Sequence, residues 1–280
     1  MAIEYRGKAL KSLSAILAKG DDCTVLEMDG ALATCYTLTF QAHHMSDGVI
    51  DFAVIVRGCG LLTNWYFQKS RESHIFNIRS HEDMTQMILS CLPLEMQPVH
   101  NRELIDACLA SLKKLQPLLQ TRAHSTFFNT LRSMYESLLL SHRHAMLQLI
   151  VLYGEWAGMD NVEFLTFVAP ENHVSRALFL HYITVDCLMK PVYAELMRER
   201  SVGSLGGEFL VYRWAEAIYH GLPRSMQELV RDQLLNLAVY LLPEVEIHRT
   251  NFPQWNHELV GFIDWLRRRA PGEVLQNCNI

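Results

Sequence analysis

No two cysteines of this sequence stand close together. The seven, Cys23, Cys35, Cys59, Cys91, Cys108, Cys187 and Cys278, are odd in number and no two lie within ten residues of each other. That spacing excludes a zinc ribbon and a CxxC redox pair, and reads as small buried hydrophobes in a reducing compartment. Basic side chains are in short supply as well. With 25 Lys and Arg against 30 Asp and Glu the formal charge is −5. Nucleic-acid binding relies on cations that neutralise phosphate, so no direct nucleic-acid contact is expected from this chain. Long apolar runs are missing too, since a spanning helix needs about 20 predominantly apolar residues. The densest stretches, Met146–Tyr153 and Leu234–Leu242, are broken by Gln148 and Asn236. Met1 is followed by Glu4, Arg6 and Lys8 rather than by an apolar leader, so neither a membrane span nor a signal peptide is read.

What is present is a helical period. Half of the 280 residues are hydrophobic, which excludes disorder. Leu10, Leu13, Ile16 and Leu17 make one face of a first helix that Gly20 ends. Asp29 opens or interrupts a second helix to about His44, and Ser46-Asp47-Gly48 is turn chemistry. Further helices are predicted over Val49–Phe67, Ser80–Cys91 and Asn101–Leu115. More follow over Ser125–Leu140, His142–Ala157 and Pro170–Met189. Pro191 kinks the last of these or begins another turn. The three glycines of Ser201–Gly207 read as a flexible joint. Helices near Glu208–His220, Ser225–Leu242 and Pro253–Arg269 complete the series. No strand alternation competes with them. The prediction is an all-α domain of about ten helices over residues 1–270, with 271–280 as a loose tail.

Chemistry-bearing patterns are sparse. The pairs His43-His44 and His142-x-His144 point to different helix faces, unlike the i, i+4 histidines of HExxH, so no metal site is expected. Asp21-Asp22 follows Gly20 at a helix junction and reads as capping. Gly203-x-x-Gly206-Gly207 has neither the spacing of a phosphate loop nor a strand before it. Arg267-Arg268-Arg269 closes the last helix, where cations offset the helix dipole. Arg57 stands out as a charge inside the apolar run Phe52–Leu62, on a narrow solvent face or paired inside. Trp65, Trp156, His181, Tyr182, Tyr193 and Trp214 lie on apolar helices, as core residues or as the lining of a pocket.

Four segments together resemble a known family. They are Glu4-Tyr5-Arg6-Gly7-Lys8-Ala9-Leu10 with Leu13, Asp29-Gly30-Ala31-Leu32-Ala33-Thr34, Asp51-Phe52-Ala53-Val54-Ile55-Val56-Arg57-Gly58-Cys59, and Ala177-Leu178-Phe179-Leu180-His181-Tyr182. In order and spacing they resemble the C-terminal regulatory domain of fungal zinc-cluster transcription factors, of the sterol uptake control type. The resemblance spans roughly Glu4 to Leu242.

It implies an all-α domain with a hydrophobic cavity for a sterol or other lipid. It also implies action in the nucleus, failing which the cytosol, and assembly as a homo-oligomer or with transcription co-regulators. Arg57, Trp65, Trp156, His181 and Tyr182 are the ligand-pocket candidates on this reading, with no catalytic residue, cofactor or metal. The family's six-cysteine DNA-binding cluster is missing, and the absence of a helix cap before Ile3 points to lost upstream sequence. The alternative reading is a small-molecule enzyme of a fungal secondary-metabolite pathway built on the same helices, with His181 or Glu155 as its polar group.

Overall fold

The computed structural model describes residues 2–42, 45, 48–68, 73, 75–76, 80–198, 211–251, 261, 264 and 268. Among them are twelve α-helices and no strand, so the all-α expectation holds. The helices are α1 (Ala2–Leu17), α2 (Val25–Ala42), α3 (Val49–Gln68), α4 (His81–Ser90), α5 (Arg102–Lys113) and α6 (Arg122–Ser137). They continue with α7 (His142–Gly158), α8 (Asn161–Val168), α9 (His173–Leu188), α10 (Lys190–Met197), α11 (Val211–Gly221) and α12 (Arg224–Asn251).

Short polar side chains set the starts. Ser80, Asn101, Thr121, Ser141, Asp160 and Asn172 each accept a hydrogen bond from an amide three residues on, satisfying a donor that the first turn leaves free. Gly20 ends the first helical segment with φ of +55°, a conformation that costs a residue without a Cβ nothing. Pro191 sits in the first turn of α10, where its missing amide hydrogen is no loss.

Three sequence expectations need correction. The second helix begins at Val25, not Asp29. Thr24 Oγ1 accepts from Glu27 N (3.3 Å) while Glu27 Oε2 accepts from Thr24 N (3.0 Å), a reciprocal capping box. Asp21 and Asp22 form a 3-10 turn ahead of it. Helix α8 is an addition: Asp160 caps it through Glu163 N at 2.8 Å, and Phe164, Phe167 and Val168 give its buried face. Helix α12 runs on through Pro243 rather than stopping at Leu242. The Ser201–Gly207 joint, His43-His44, Ser46-Asp47, the 271–280 tail and most of the 253–269 helix lie outside the described residues. Of the basic triplet only Arg268 is described, and its Nη2 meets Glu216 Oε1 at 3.3 Å.

Two hydrophobic clusters divide the interior. The larger joins α5, α6, α7, α9, α11 and α12. Twelve of the sixteen residues of α9 are buried, so this helix is enclosed on every side. Around it stack Phe127 on Phe167 (5.2 Å), Phe127 on Phe179 (5.6 Å) and Trp156 on Tyr182 (5.3 Å). The smaller cluster lies between α2 and α3 and contains Met28, Leu32, Cys35, Leu38, Ile55, Leu62 and Tyr66. Gly60 lets α3 close on α7, since a Cβ there would fall 2.8 Å from the Cβ of Ala157.

Candidate functional site

A cleft of about 360 Å³ opens where the start of α3, the entry to α9 and the α11 face converge. Val49, Ile50 and Asp51 form one wall, Pro170 and Arg176 a second, and Trp214, Ala217, Ile218 and Gly221 the third. The volume lies in the roughly 300–1,000 Å³ range of small-molecule sites. Trp214 is fixed in place: its Nε1 donates to Met45 O at 2.7 Å and its ring leans on Phe52 at 5.9 Å. Arg176 is half-buried and its Nη2 points back to Val168 O at 3.5 Å. Burial lowers the guanidinium's pKa, and the charge of Glu171 opposes that shift. Arg6 Nη2 holds Asp51 Oδ2 at 2.6 Å, which ties α1 to the first turn of α3 and neutralises the carboxylate on that wall. The cleft therefore combines polar and apolar lining in near-equal measure, with an aromatic wall, one cation and a paired carboxylate.

None of the five expected pocket residues lines this cleft. Trp156, His181 and Tyr182 are fully buried in the larger cluster, with their rings against protein. Tyr135 joins His181, its hydroxyl lying 3.2 Å from His181 Nδ1 and 3.2 Å from His181 O. Gln233 Nε2 donates to the same hydroxyl at 3.1 Å. Burial pulls His181 down to about 3, so its ring is neutral, and its Nε2 has no hydrogen-bond partner among the described residues. Burial pushes the neighbouring Cys108 thiol up to about 12. Tyr153 OH meets Tyr182 OH at 3.3 Å, and Tyr193 OH donates to Asp186 Oδ1 at 2.9 Å.

Arg57 is bonded to the end of a neighbouring helix. Its Nε donates to Trp156 O (3.1 Å), and its Nη2 donates to Met159 O (2.9 Å) and Asn161 Oδ1 (2.9 Å), with Phe164 under the guanidinium at 4.7 Å. Those acceptors end α7 and begin α8, so the cation closes a helix C-terminus and fixes the α7–α8 corner to α3. Trp65 stands apart, half-buried against the smaller cluster. The structure thus brings Arg57, Trp156 and Tyr182 into one packed region and leaves Trp65 outside it.

Trp214, read in the sequence as core or pocket lining, does line the cleft, and the residues missed by sequence reasoning are Arg176 and the Ala217, Ile218 and Gly221 positions of α11. Arg176 carried a signal, a lone cation between Ser175 and Ala177 at the head of an apolar helix. Ala217 and Ile218 carried none, because their meeting with α3 is tertiary. Among the described residues no three His, Cys, Asp or Glu side chains gather as a metal site, and no helix is long and apolar enough to cross a membrane. The fold and cleft define a class, an all-α domain with an open cleft of mixed polar and apolar lining at one edge of its core. The chain matches no family model, no curated protein and no solved structure.

Proposed function

We propose that this chain is the ligand-responsive regulatory domain of a fungal zinc-cluster type transcription regulator, without the DNA-binding cluster. Its cleft takes a sterol or another lipid-like small molecule. The observation that carries the reading is where the four resembling segments lie. The first and third are joined by the Arg6–Asp51 pair, the third begins at the cleft wall formed by Val49–Asp51, and the fourth begins next to Arg176 on the opposite wall. A ligand wedged there contacts both α3 and α9. It shifts the domain between packings only by binding one of them better than the other. In this role the domain works in the nucleus, as a homo-oligomer or with transcription co-regulators, and leaves DNA contact to another chain.

The test fuses residues 1–280 to an unrelated DNA-binding domain and reads a reporter in yeast with and without sterol depletion. Ala217→Trp, which fills the cleft, is expected to remove the sterol response while leaving protein abundance unchanged. Purified chain is extracted in parallel for co-purifying lipid. A reporter indifferent to both sterol and Ala217→Trp, with no lipid extracted, overturns the reading.

A further inference from the structure

Two charged residues line the cleft, and they are held differently. Asp51, on α3, is committed: Arg6 Nη2 lies 2.6 Å from its Oδ2, so its charge is already balanced. Arg176, on α9, makes no ion pair among the described residues. A guanidinium carries five N–H donors. The acceptor that Arg176 meets among the described residues is Val168 O, which lies 3.5 Å from Nη2, at the outer limit of a hydrogen bond. Glu171 acts on its charge from nearby without pairing with it. The side chain is half-buried, so water satisfies those donors only in part. The backbone beneath it is fixed. Asn172 caps α9, its Oδ1 accepting from Ser175 N at 3.1 Å and lying 3.0 Å from His124 Nε2, while its Nδ2 donates to Thr166 O at 3.0 Å. These bonds tie the start of α9 to α6 and α8, which sets the base of the Arg176 side chain before anything enters the cleft.

We propose that the cleft selects a monocarboxylate with an apolar body, its carboxylate paired with Arg176 and its hydrocarbon lying along Val49, Ile50, Pro170 and Ile218. This selectivity rests on the cleft being the domain's ligand site, and it narrows the lipid-like ligand to an acid. The planar guanidinium offers parallel N–H bonds to the two oxygens of a carboxylate, a match in geometry as well as in charge. One negative charge is also the number the walls can balance. Among the described residues no other wall side chain is cationic, and a second negative charge would face Asp51. A neutral ligand would cover the guanidinium without pairing it, so its apolar contacts would be offset by the cost of drying a cation. The mixed lining of the cleft suits a molecule that is apolar along its body and charged at one end.

The experiment titrates the whole chain, stripped of lipid, with decanoate and with 1-decanol by isothermal calorimetry at pH 7.5, where a carboxylic acid is ionised. The probes share one hydrocarbon chain and differ in the head group, and both are kept below the micelle concentration of the acid. Decanoate is expected to bind roughly tenfold or more tightly than 1-decanol. In Arg176→Gln, checked for helix content by circular dichroism, the two affinities should converge. Arg176→Lys, which keeps the charge without the fork, should recover part of the difference. Ala217→Trp, which fills the cleft, should weaken both probes. Equal affinities in the wild-type chain overturn the proposal, and so does a preference for the acid that persists in Arg176→Gln. If the alcohol binds as well as the acid and Ala217→Trp blocks both, acid selectivity fails while the cleft stands as the ligand site. If neither probe binds, or Ala217→Trp leaves both affinities intact, the cleft fails as the site and the selectivity falls with it. The wild-type comparison of the two probes decides even if Arg176→Gln fails to fold.

Discussion

The α2–α3 hairpin and the bundle around α9 are built from the same material and held differently. The bundle buries aromatics from several helices at once, with Trp156 touching Phe127, Tyr153, Phe179 and Tyr182. The hairpin core is thin, and it relies on polar anchors. Its buried Asp29 accepts from Tyr66 OH and from Ser73 Oγ at 2.5 Å. Burial and the Asp29 carboxylate push the Tyr66 phenol well above its ordinary range, so it stays protonated as the donor. A dense aromatic centre spreads the loss of one contact over many neighbours. A thin hairpin concentrates it in a few bonds, so the hairpin is the part expected to open first.

The largest expected effect breaks the bundle. Trp156→Ala removes a fully buried indole and is expected to cost roughly 3–5 kcal/mol, enough to abolish the cooperative transition in guanidinium titration. Leu32→Ala, in the hairpin, is expected to cost about 2–3 kcal/mol in a local form. Hydrogen exchange should quicken in α2 and α3 while α7 and α9 keep their protection. Equal quickening in all four would erase the distinction between the two regions.

Arg57→Ala cuts one polar link between them. Its charged bonds to Trp156 O and Met159 O leave two carbonyls at the end of α7 without this partner, an expected cost of about 2–3 kcal/mol by denaturant midpoint. Arg57→Lys should recover only part of it, because an ammonium lacks the planar fork that reaches both carbonyls.

Acid at pH 5 probes the buried histidines of the bundle. The folded protein holds His181 neutral at about 3, whereas the unfolded side chain has a pKa near 6.5. The unfolded state therefore binds the extra proton. The stability held through this group is complete above pH ~6.5 and is lost as pH falls toward the folded value. At pH 5 the loss amounts to about 2 kcal/mol. His100 and His124 are also shifted down by burial and act with the same sign, so the reading is the difference between wild type and His181→Gln. Guanidinium midpoints at pH 7.5 and 5 should fall less in the variant, and parallel falls would assign the acid sensitivity elsewhere.

The smallest effect sharpens the hairpin. Thr24→Ala removes half of the capping box of α2 and should cost about 1 kcal/mol, read as a modest drop in midpoint and faster exchange at the first amides of α2.

Much of the fold was legible because its signals are local. Ser80 and Asn101 announced their helices by chemistry that acts across three residues, and Gly20 and Pro191 did the same for an end and a start. Helix α8 was missed although Asp160 and Glu163 have capping-box spacing, because eight residues are too few to establish a period. Asp29 misled for a related reason: an aspartate near a helix start reads as a cap, and only Tyr66, 37 residues away, shows that it is a buried anchor. The site was far less legible. Arg57 was marked by its apolar surroundings, but its partners lie about a hundred residues on. Trp156, His181 and Tyr182 have the composition of a pocket wall and the position of a core.

The sequence by itself determined the helices, their order and the apolar faces they must bury, since propensity, capping and a 3.6-residue period act within a few residues. It also showed seven cysteines with no two near one another, from which no redox pair is read. Only the tertiary structure decided that Tyr66 of α3 meets the buried Asp29 of α2, that Arg57 closes α7, and that the open space lies beside Trp214 and Arg176. Such meetings depend on how helices pack, and distance along the chain does not encode which faces end up opposite each other.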